Sequence, residues 1–376
     1  MKAVFTIAEN IISPLGSTAA ENFHMLKLGR SGIAEHNEPT LSLTPVYASL
    51  FNKRNLQQTE DGFSAFEQLL VQSIKDALQL TYVDPADSRT IFIISSTKGN
   101  ISYIENNSFS EDVSGKVSLP ASARIVSEHF KNPNQPLVVS NACISGVLAL
   151  LTAKRLIDGG LYDHAVVAGA DLITKFILSG FQSFQAVSPV PCTPFDKNRQ
   201  GVTLGEGAAT MIISNDPTKG KTPVRLMGGA TSNDANHISG PSRTGEPLSA
   251  AIRKSMLEAE VTASDIDFIV AHGTATIFND EMESKAITLA GLQHVPVNSL
   301  KGFYGHTLGA AGLIESVIAV ESIRSNTMIP TKGFQEPGIS ENINICAELK
   351  EAPVEFVLKT ASGFGGCNAA MVFGKQ

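Results

Sequence analysis

The chain has 376 residues, 43% of them hydrophobic, and a formal net charge of −7 at pH 7. This length allows one large domain or two fused halves. The sequence lacks Lys/Arg runs, long apolar runs and zinc-type spacing among its four cysteines, which excludes a nucleic-acid-binding protein, a membrane span and a zinc site. The N-terminus is too short and too charged for a signal peptide, so we expect a reduced, cytoplasmic protein.

Apolar runs and amphipathic segments alternate along the first half of the chain. Their periods predict strands at residues 4–12, 90–95, 137–140, 164–170 and 208–214, helices at 17–28, 61–80 and 120–130, and a further helix from residue 143 to about 159. The 61–80 helix has the clearest pattern, since its apolar residues recur every three or four positions. Residues 31–58 are predicted to be irregular, and 215–221 to be a linker.

The second half repeats this rhythm. It contains predicted strands at 224–229, 268–271, 295–297, 354–358 and 369–373 and predicted helices at 246–259, 281–290 and 309–325. Continuous apolar strands that alternate with helices are typical of a mainly parallel sheet covered on both faces. We therefore predict a duplicated α/β domain, divided into residues 1–215 and 216–376. Ligands bind where parallel strands end, so an active site is expected between the halves.

Cys143 stands where a short apolar strand is predicted to turn into a helix. The free N–H groups at a helix start and the helix dipole favour negative charge. On this interpretation the pKa of Cys143 is lowered, and its thiolate, the nucleophilic form, is more populated. Small neighbours (Ala142, Ser145 and Gly146) leave room for a substrate. The alternative is a buried cysteine that acts as a small hydrophobe, and this stretch alone leaves both interpretations open.

Three polar or Gly-rich stretches follow predicted strands in the second half. They are residues 271–280, 298–312 and 362–368. Each has a structural explanation when taken alone: a satisfied histidine for His272, a tight turn with close helix packing around His306, and a cover for the core at Phe364. Together with Cys143 they supply a nucleophile, two imidazoles and backbone donors for an oxyanion hole.

Several ordered motifs run through most of the chain. They are Asn141-Ala142-Cys143 with Ser145-Gly146, Pro194-Phe195-Asp196-x-x-Arg199, Asp234-Ala235-x-His237, His272-Gly273-Thr274-x-Thr276-x-x-Asn279-Asp280, Lys301 with Gly305-His306 and Glu315, and Gly363-Phe364-Gly365-Gly366-x-Asn368. With these motifs the sequence resembles the β-ketoacyl-acyl-carrier-protein synthases of the thiolase superfamily. It is most similar to the elongating branch, which uses a Cys-His-His set, because the initiating synthases carry Asn where His306 stands.

The resemblance implies a thiolase-like fold of two pseudo-duplicated βαβ halves in a five-layered α-β-α-β-α arrangement. It also implies an acyltransferase that condenses malonyl-acyl-carrier protein, with loss of carbon dioxide, with an acyl group held on Cys143. In such an enzyme His272 and His306 hold the thioester oxygen of the carbanion. Lys301 orders the site and is expected to pair with Glu315, because an unpaired buried lysine is costly.

The C-terminal motif has two roles under this resemblance. The backbone N–H groups of Cys143 and Phe364 form the oxyanion hole, and Phe364 gates the site on hinges at Gly365 and Gly366. The resemblance gives supporting roles to further side chains, which are Thr274, Thr276, His237 and Asn368.

By the same resemblance no organic cofactor and no metal is needed, since the substrates travel on the phosphopantetheine arm of an acyl carrier protein. The second expected partner is another synthase chain, identical in a homodimer or related in a heterodimer. Acyl carrier proteins are acidic, so a basic patch is expected at the entrance. Its candidates are Lys53, Arg54, Arg124 and Arg199.

Departures from the family pattern leave the acyl substrate open. They are Ile144, Ala275, Ile277-Phe278 and Phe303-Tyr304. The added bulk of Ile144, Phe278, Phe303 and Tyr304 near the expected acyl chain favours an unsaturated or aryl-primed chain of polyene or polyketide synthesis over a saturated chain of fatty-acid synthesis. Two alternatives remain for the whole protein. One is a non-catalytic, chain-length-determining partner subunit of a heterodimeric synthase, which the presence of Cys143 and both histidines disfavours. The other is a thiolase-type enzyme that uses coenzyme A esters.

Overall fold

The computed structural model describes residues 2–52, 62–106, 110–235 and 240–375. Its α-helices are α1 (Ala19–Lys27), α2 (Ala65–Leu78), α3 (Ser102–Asn106), α4 (Glu111–Val117), α5 (Leu119–His129), α6 (Ser145–Asp158), α7 (Lys175–Ser183), α8 (Glu246–Ala259), α9 (Ile277–Leu289), α10 (Lys301–Tyr304) and α11 (Ala311–Ser325). Its strands are β1 (Phe5–Ile12), β2 (Ala34–His36), β3 (Val46–Ser49), β4 (Thr90–Ser95), β5 (Leu137–Val139), β6 (His164–Asp171), β7 (Leu204–Gly205), β8 (Gly207–Ser214), β9 (Val224–Asn233), β10 (Phe268–Val270), β11 (Val297–Asn298), β12 (Thr327–Met328), β13 (Lys350–Glu351), β14 (Phe356–Gly363) and β15 (Cys367–Lys375).

Ten of these strands form one sheet in the order β11-β10-β14-β15-β9-β1-β8-β6-β4-β5. At the centre of the sheet β1 pairs with β9 over two residues of each strand. Outward from this pair, the first half runs β1-β8-β6-β4-β5 and the second half runs β9-β15-β14-β10-β11, so the two halves have equivalent orders. In each half the two outermost pairs are parallel (β5-β4-β6 and β11-β10-β14), and the next pair is antiparallel (β6-β8 and β14-β15). The duplication is therefore present in the topology although the sequence has no residue-level repeat.

Two helices fill the space between the halves. α6 packs on β4 and β6 of the first half and on β9 and β15 of the second, and α11 packs on β8 and β14. Only the end of α11 reaches the surface, which explains why it is mostly apolar, with Glu315 as its buried charged residue. α2 and α5 cover the outer face of the first half. α8 covers that of the second, and α9 packs beside α8 and shares its apolar cluster with β14 and β15. This is the predicted five-layered thiolase-like arrangement, and the fold class is confirmed.

Glycines bring the two central helices into close contact. A Cβ at Gly146 of α6 would lie 2.5 Å from the backbone nitrogen of Leu313, and one at Gly312 of α11 would lie 2.8 Å from that of Val147. Backbones this close exclude every side chain at both positions. Part of the Gly-rich stretch before α11 therefore serves helix packing.

Most strands and central helices lie where the sequence predicts them, and the differences occur at the ends of elements and in short elements that were not predicted. The 90–95 strand and the 246–259 helix match β4 and α8, whereas α9 begins earlier than predicted because Thr276 caps it by accepting a hydrogen bond from the Asn279 N–H. Within the region predicted to be irregular, β2 and β3 form a small sheet with β7. The elements that were not predicted are short: the helices α3, α4, α7 and α10 and the strands β7, β12 and β13.

None of the helices in the described part of the chain is long and apolar enough to span a membrane. The division at residue 215 remains a prediction.

Candidate active site

Cys143 lies on a strained turn between β5 and α6. Ala142 before it has φ of +45°, a left-handed conformation that costs a non-glycine residue about 1–2 kcal/mol. The Ser145 hydroxyl stabilises the turn, since it donates to the Ala142 carbonyl at 2.6 Å and accepts from the Asn141 N–H at 2.8 Å. This turn places the Cys143 side chain between the two halves, at the ends of the parallel strands.

Two histidines from the second half meet this sulfur. His306, which follows α10, has its Nε2 2.9 Å from Cys143 Sγ. His272 follows β10, and its ring centroid lies 5.2 Å from that of His306, with the ring planes nearly perpendicular. All three side chains are buried, and one nitrogen or sulfur atom from each lies within 4.8 Å of the others. In the described part of the chain this is the one Cys/His/carboxylate group close enough to hold a metal ion.

Buried charges fix the backbone and the ring of His272. The Glu283 carboxylate accepts from the His272 N–H at 2.8 Å and from the Gly273 N–H at 2.7 Å. Lys301 Nζ donates to the His272 carbonyl at 2.6 Å and lies 3.3 Å from His272 Nδ1. Because an ammonium group only donates, Nδ1 is the acceptor and the ring carries its proton on Nε2. Glu315 lies 2.7 Å from Lys301.

Burial keeps this group of side chains neutral. It raises the pKa of Cys143 to about 12, although the charge of Lys301 and the backbone N–H of Phe364 both act to lower that pKa. Burial, and then the charge of Lys301, hold the pKa of His272 and of His306 well below 6.5. The prediction of a lowered Cys143 pKa is therefore wrong for the free protein, because desolvation outweighs the charge of Lys301 and the backbone N–H of Phe364.

Phe364, whose backbone N–H faces the Cys143 sulfur, has its ring between two other aromatic rings. Its ring centroid is 5.7 Å from that of Phe181 and 5.5 Å from that of Phe184, and 38% of the residue is exposed. The two following glycines differ. Gly365 has φ of +88° and open space around its Cα, whereas a Cβ on Gly366 would lie 2.0 Å from the Asp234 carbonyl oxygen. The close Asp234 carbonyl restricts the backbone at Gly366, so Gly365 is the residue of this loop whose backbone has room to move.

Two cavities meet at Cys143 and Phe364. The first, of about 460 Å³, contains both histidines, Thr274, Thr276, Phe278 and Asn368. The hydroxyls of Thr274 and Thr276 lie 2.8 Å apart. The second cavity, of about 830 Å³, extends along α7 and past Lys98 and Ser140. The sulfur is thus reachable from two sides that Phe364 separates.

Asn368 supports the Phe364 loop. Its side-chain oxygen accepts from the Ser362 hydroxyl at 2.8 Å, and its amide donates to the Gly366 carbonyl at 3.1 Å. His237, Lys53 and Arg54 lie outside the described residues.

Other sequence predictions need correction. Arg199 is buried, bonded to the Asp196 carbonyl and 3.7 Å from Asp280, so it cannot contribute to a basic docking surface. Arg124 is exposed. Ile144, Phe303 and Tyr304 belong to the buried core, and among the bulky departures only Ile277 and Phe278 line a cavity.

Several residues at the site were missed in the sequence. Asp171 ends β6 and accepts from the backbone N–H groups of Thr97 and Gly309, which ties the loop before α11 to the first half. An aspartate at the end of an apolar strand was a usable signal. Lys359 on β14 lies 2.8 Å from Glu315. Phe181 and Phe184 gave no signal, because α7 itself was not predicted.

Comparison with known proteins gives the same assignment for both halves. Residues 2–218 match the family described as "Beta-ketoacyl synthase, N-terminal domain", and residues 224–335 match "Beta-ketoacyl synthase, C-terminal domain". The 3-oxoacyl-[acyl-carrier-protein] synthase 2 of Coxiella burnetii is 26% identical, and the match covers 97% of this chain and 96% of that protein. The protein of the same name from Vibrio harveyi is 28% identical over 100% and 99%. A solved ketosynthase in complex with its chain length factor, from Xenorhabdus doucetiae, has a TM-score of 0.84 at 25% identity and is covered over 98%, against 100% of this chain.

Proposed function

The chain belongs to the β-ketoacyl synthase family, and on that premise we propose that it condenses malonyl-acyl-carrier protein with an acyl group held on Cys143. The observation that carries the proposal is the meeting of Cys143, His272 and His306 around one cavity. A sulfur nucleophile and two neutral imidazoles are what this condensation needs, since it passes through a thioester and then an enolate.

The first half-reaction loads the acyl group. His306 Nε2 takes the thiol proton from Cys143 as the sulfur attacks the carbonyl carbon of the incoming acyl thioester. The backbone N–H groups of Phe364 and Cys143 stabilise the oxyanion. A donor of this kind contributes roughly 3–4 kcal/mol in comparable sites. The carbon–sulfur bond to the carrier then breaks, and the departing thiolate takes the proton back from His306.

The second half-reaction makes the new carbon–carbon bond. The bond from the malonyl group to its carboxylate breaks, carbon dioxide leaves, and the electron pair moves to an enolate whose oxygen accepts hydrogen bonds from His272 and His306. The carbanion attacks the acyl carbon, and the bond to Cys143 breaks. One proton from solvent restores the thiol. His272 is always a donor here because Lys301 faces its Nδ1.

His306 has to change role between the two half-reactions, from proton acceptor to hydrogen-bond donor. Its Nδ1 is buried and has no hydrogen-bond partner among the described residues. The ring is therefore not locked in one tautomer, which suits both tasks.

The substrates reach the sulfur from two sides. We assign the first cavity to the malonyl group and the phosphopantetheine arm of an acyl carrier protein, with Thr274 and Thr276 beside the arm. The second cavity takes the acyl chain along α7.

The chemistry needs no separate cofactor and no metal. The acyl substrate is either a saturated fatty acyl chain or a polyene or polyketide intermediate. Intact-mass measurement of Cys143 after incubation with a series of acyl-carrier proteins distinguishes them, and preferential loading of long saturated acyl chains contradicts the polyene proposal.

A second synthase chain is the other partner we propose, in a homodimer or in a heterodimer with a related subunit. β5 is an edge strand of the large sheet. Three large hydrophobic residues are exposed there: Leu137 on β5, Phe176 on α7 and Phe184 directly after α7. Edge strands with exposed apolar residues are templates for pairing. Native mass spectrometry of the purified chain, alone and coexpressed with a related subunit, distinguishes these assemblies.

The test of catalysis is acyl loading followed by condensation. The chain is incubated with an acyl-carrier protein and its intact mass measured, then malonyl-carrier is added and the β-ketoacyl product and carbon dioxide are quantified. Cys143→Ala should lose the adduct and the product, whereas Cys346→Ala, which removes another buried thiol remote from the cavities, should keep both. A folded unsubstituted chain that shows neither adduct nor product contradicts the proposal and favours the non-catalytic, chain-length-determining partner subunit. Turnover of coenzyme A esters only favours a thiolase-type enzyme.

A further inference from the structure

Lys359 is a fully buried lysine that the mechanism above does not use. It lies on β14, and its Nζ contacts only oxygen acceptors in the described part of the chain: Glu315 Oε2 at 2.8 Å, the carbonyls of Val270 and Ala271 at 3.3 and 3.4 Å, and the Thr360 carbonyl. Surroundings made only of acceptors suit an ammonium group, which has three donors and no acceptor.

Lys359 shares its carboxylate with a residue of the active site. Glu315 Oε1 lies 2.7 Å from Lys301 and Glu315 Oε2 lies 2.8 Å from Lys359, so one buried carboxylate bridges two buried ammonium groups. This three-residue cluster has one positive charge in excess, which the buried Glu283 carboxylate partly offsets, since its charge acts to raise the pKa of Lys359. A buried lysine is costly even with such partners, and its presence beside the site calls for an explanation.

Both lysines hold the same short segment of backbone. Lys359 donates to the carbonyls of Val270 and Ala271, and Lys301 donates to that of His272. These three consecutive residues run from the end of β10 to the first catalytic imidazole. The excess positive charge also lies near both rings, and the charge of Lys359 acts to lower the pKa of His272 and of His306.

We propose that Lys359 is a positioning residue, which fixes the strand end that carries His272 and keeps both imidazoles uncharged while the enolate forms. The proposal rests on the proposed function. Lys359 touches no substrate and acts through Glu315 and the backbone of residues 270–271.

The other charged or titratable groups around the two rings come from five elements. They are Cys143 before α6, Glu283 on α9, Lys301 on α10, Glu315 on α11 and Asp171 on β6. Glu283 and Asp171 are held by backbone N–H donors that Lys359 does not contact. Removal of Lys359 therefore changes the charge around the rings without taking a hydrogen-bond donor from Glu283 or Asp171, while Glu315 loses one of its two lysine partners and keeps Lys301.

The experiment compares Lys359→Met with the unsubstituted chain in malonyl-carrier decarboxylation across pH. Loss of the nearby cation stabilises the protonated imidazoles, so the acid limb of the kcat profile should move up by about half a pH unit or more. A displaced strand end should lower kcat by about tenfold or more with little change in KM. Lys359→Arg, which keeps the charge, should return the acid limb towards its original position.

The matched control is Lys154→Met. Lys154 is a buried lysine of α6 that pairs with Glu258 of α8 at 2.7 Å, away from both cavities. The Lys154→Met variant should be less stable than the unsubstituted chain, while the acid limb of its kcat profile should stay in place. If Lys359→Met also loses only stability, Lys359 is structural and the proposal is overturned. If Lys359→Arg does not fold, the deciding measurement is a histidine-selective NMR titration of Lys359→Met and of the unsubstituted chain. If His272 and His306 titrate alike in both proteins, the proposal is contradicted. An unsubstituted chain without decarboxylation overturns the proposed function instead.

Discussion

His306 Nε2 and Cys143 Sγ lie 2.9 Å apart, and both side chains are buried. Burial raises the pKa of the thiol and lowers that of the imidazole, so the pair rests as thiol and neutral ring. We therefore expect the thiolate to form as the proton moves to His306, the acceptor 2.9 Å from the sulfur.

Alkylation of the free protein should therefore show no plateau near neutral pH. With the Cys143 pKa at about 12, the rate of iodoacetamide labelling at this residue should rise about tenfold per pH unit from about pH 7 to about pH 10. Peptide mass mapping follows Cys143 separately from the other thiols. A rate that levels off near pH 7 means that the thiolate is already stable in the free protein.

The two histidines should affect different steps. His306→Ala removes the proton acceptor, and we expect acyl loading of Cys143 to slow by about a hundredfold or more. His272→Ala leaves that contact in place, so loading should persist while malonyl decarboxylation falls by a similar factor. Intact-mass kinetics measures loading, and carbon dioxide release measures decarboxylation. Equal loss of loading in both variants contradicts separate roles.

The buried imidazoles should also make stability depend on pH. Their pKa values are depressed in the folded protein, so below pH 6.5 the unfolded chain takes up protons that the folded chain does not. The free energy of unfolding therefore falls as the pH drops, by up to about 1.4 kcal/mol per unit for each ring. Urea unfolding at pH 7.5 and pH 5.5 measures the loss. It should be smaller in the His272→Ala/His306→Ala double variant, and an equal loss there assigns the effect to other groups.

The residues of this site that could be predicted from the sequence are those that follow a recognisable apolar strand. Cys143, His272 and His306 each follow an apolar strand, and parallel strands bring their carboxyl ends together. Lys359 was missed for a physical reason: a lysine ordinarily ends an apolar strand, so the strand was predicted to stop at residue 358, whereas β14 continues to Gly363 with Lys359 buried. Burial depth, which decides the Cys143 pKa, is a tertiary property that local sequence does not report.

Phe278 should contribute to recognition of the pantetheine arm. It is 74% exposed at the start of α9, and it lines the first cavity beside Thr276. Phe278→Ala should raise KM about tenfold for acyl-pantetheine and acyl-carrier substrates, since it removes an apolar contact with the arm. Leu257→Ala, which removes a 78% exposed side chain of α8 outside both cavities, should leave KM unchanged. Acyl-N-acetylcysteamine, whose arm is shorter, should be insensitive to Phe278→Ala, and an equal KM change with this substrate contradicts contact with the distal arm.

Gly365 and Gly366 offer a matched pair for testing the Phe364 loop. Both have positive φ, so alanine at either position costs about 1–2 kcal/mol of backbone strain. Gly365 has open space around it, whereas alanine at Gly366 would also collide with the Asp234 carbonyl and break the 2.7 Å hydrogen bond from the Asp234 N–H to the Gly366 carbonyl.

Gly365→Ala should therefore fold with a modest loss of thermal stability and slow the condensation step by about tenfold, because the hinge is stiffer while Cys143 and both histidines are untouched. Gly366→Ala should lower the melting temperature further and reduce loading as well, since the Phe364 N–H leaves its place beside the sulfur. Stopped-flow measurement of loading and of condensation, with melting curves for both variants, separates these outcomes. Unchanged condensation in Gly365→Ala means that Phe364 does not move on this hinge during the reaction.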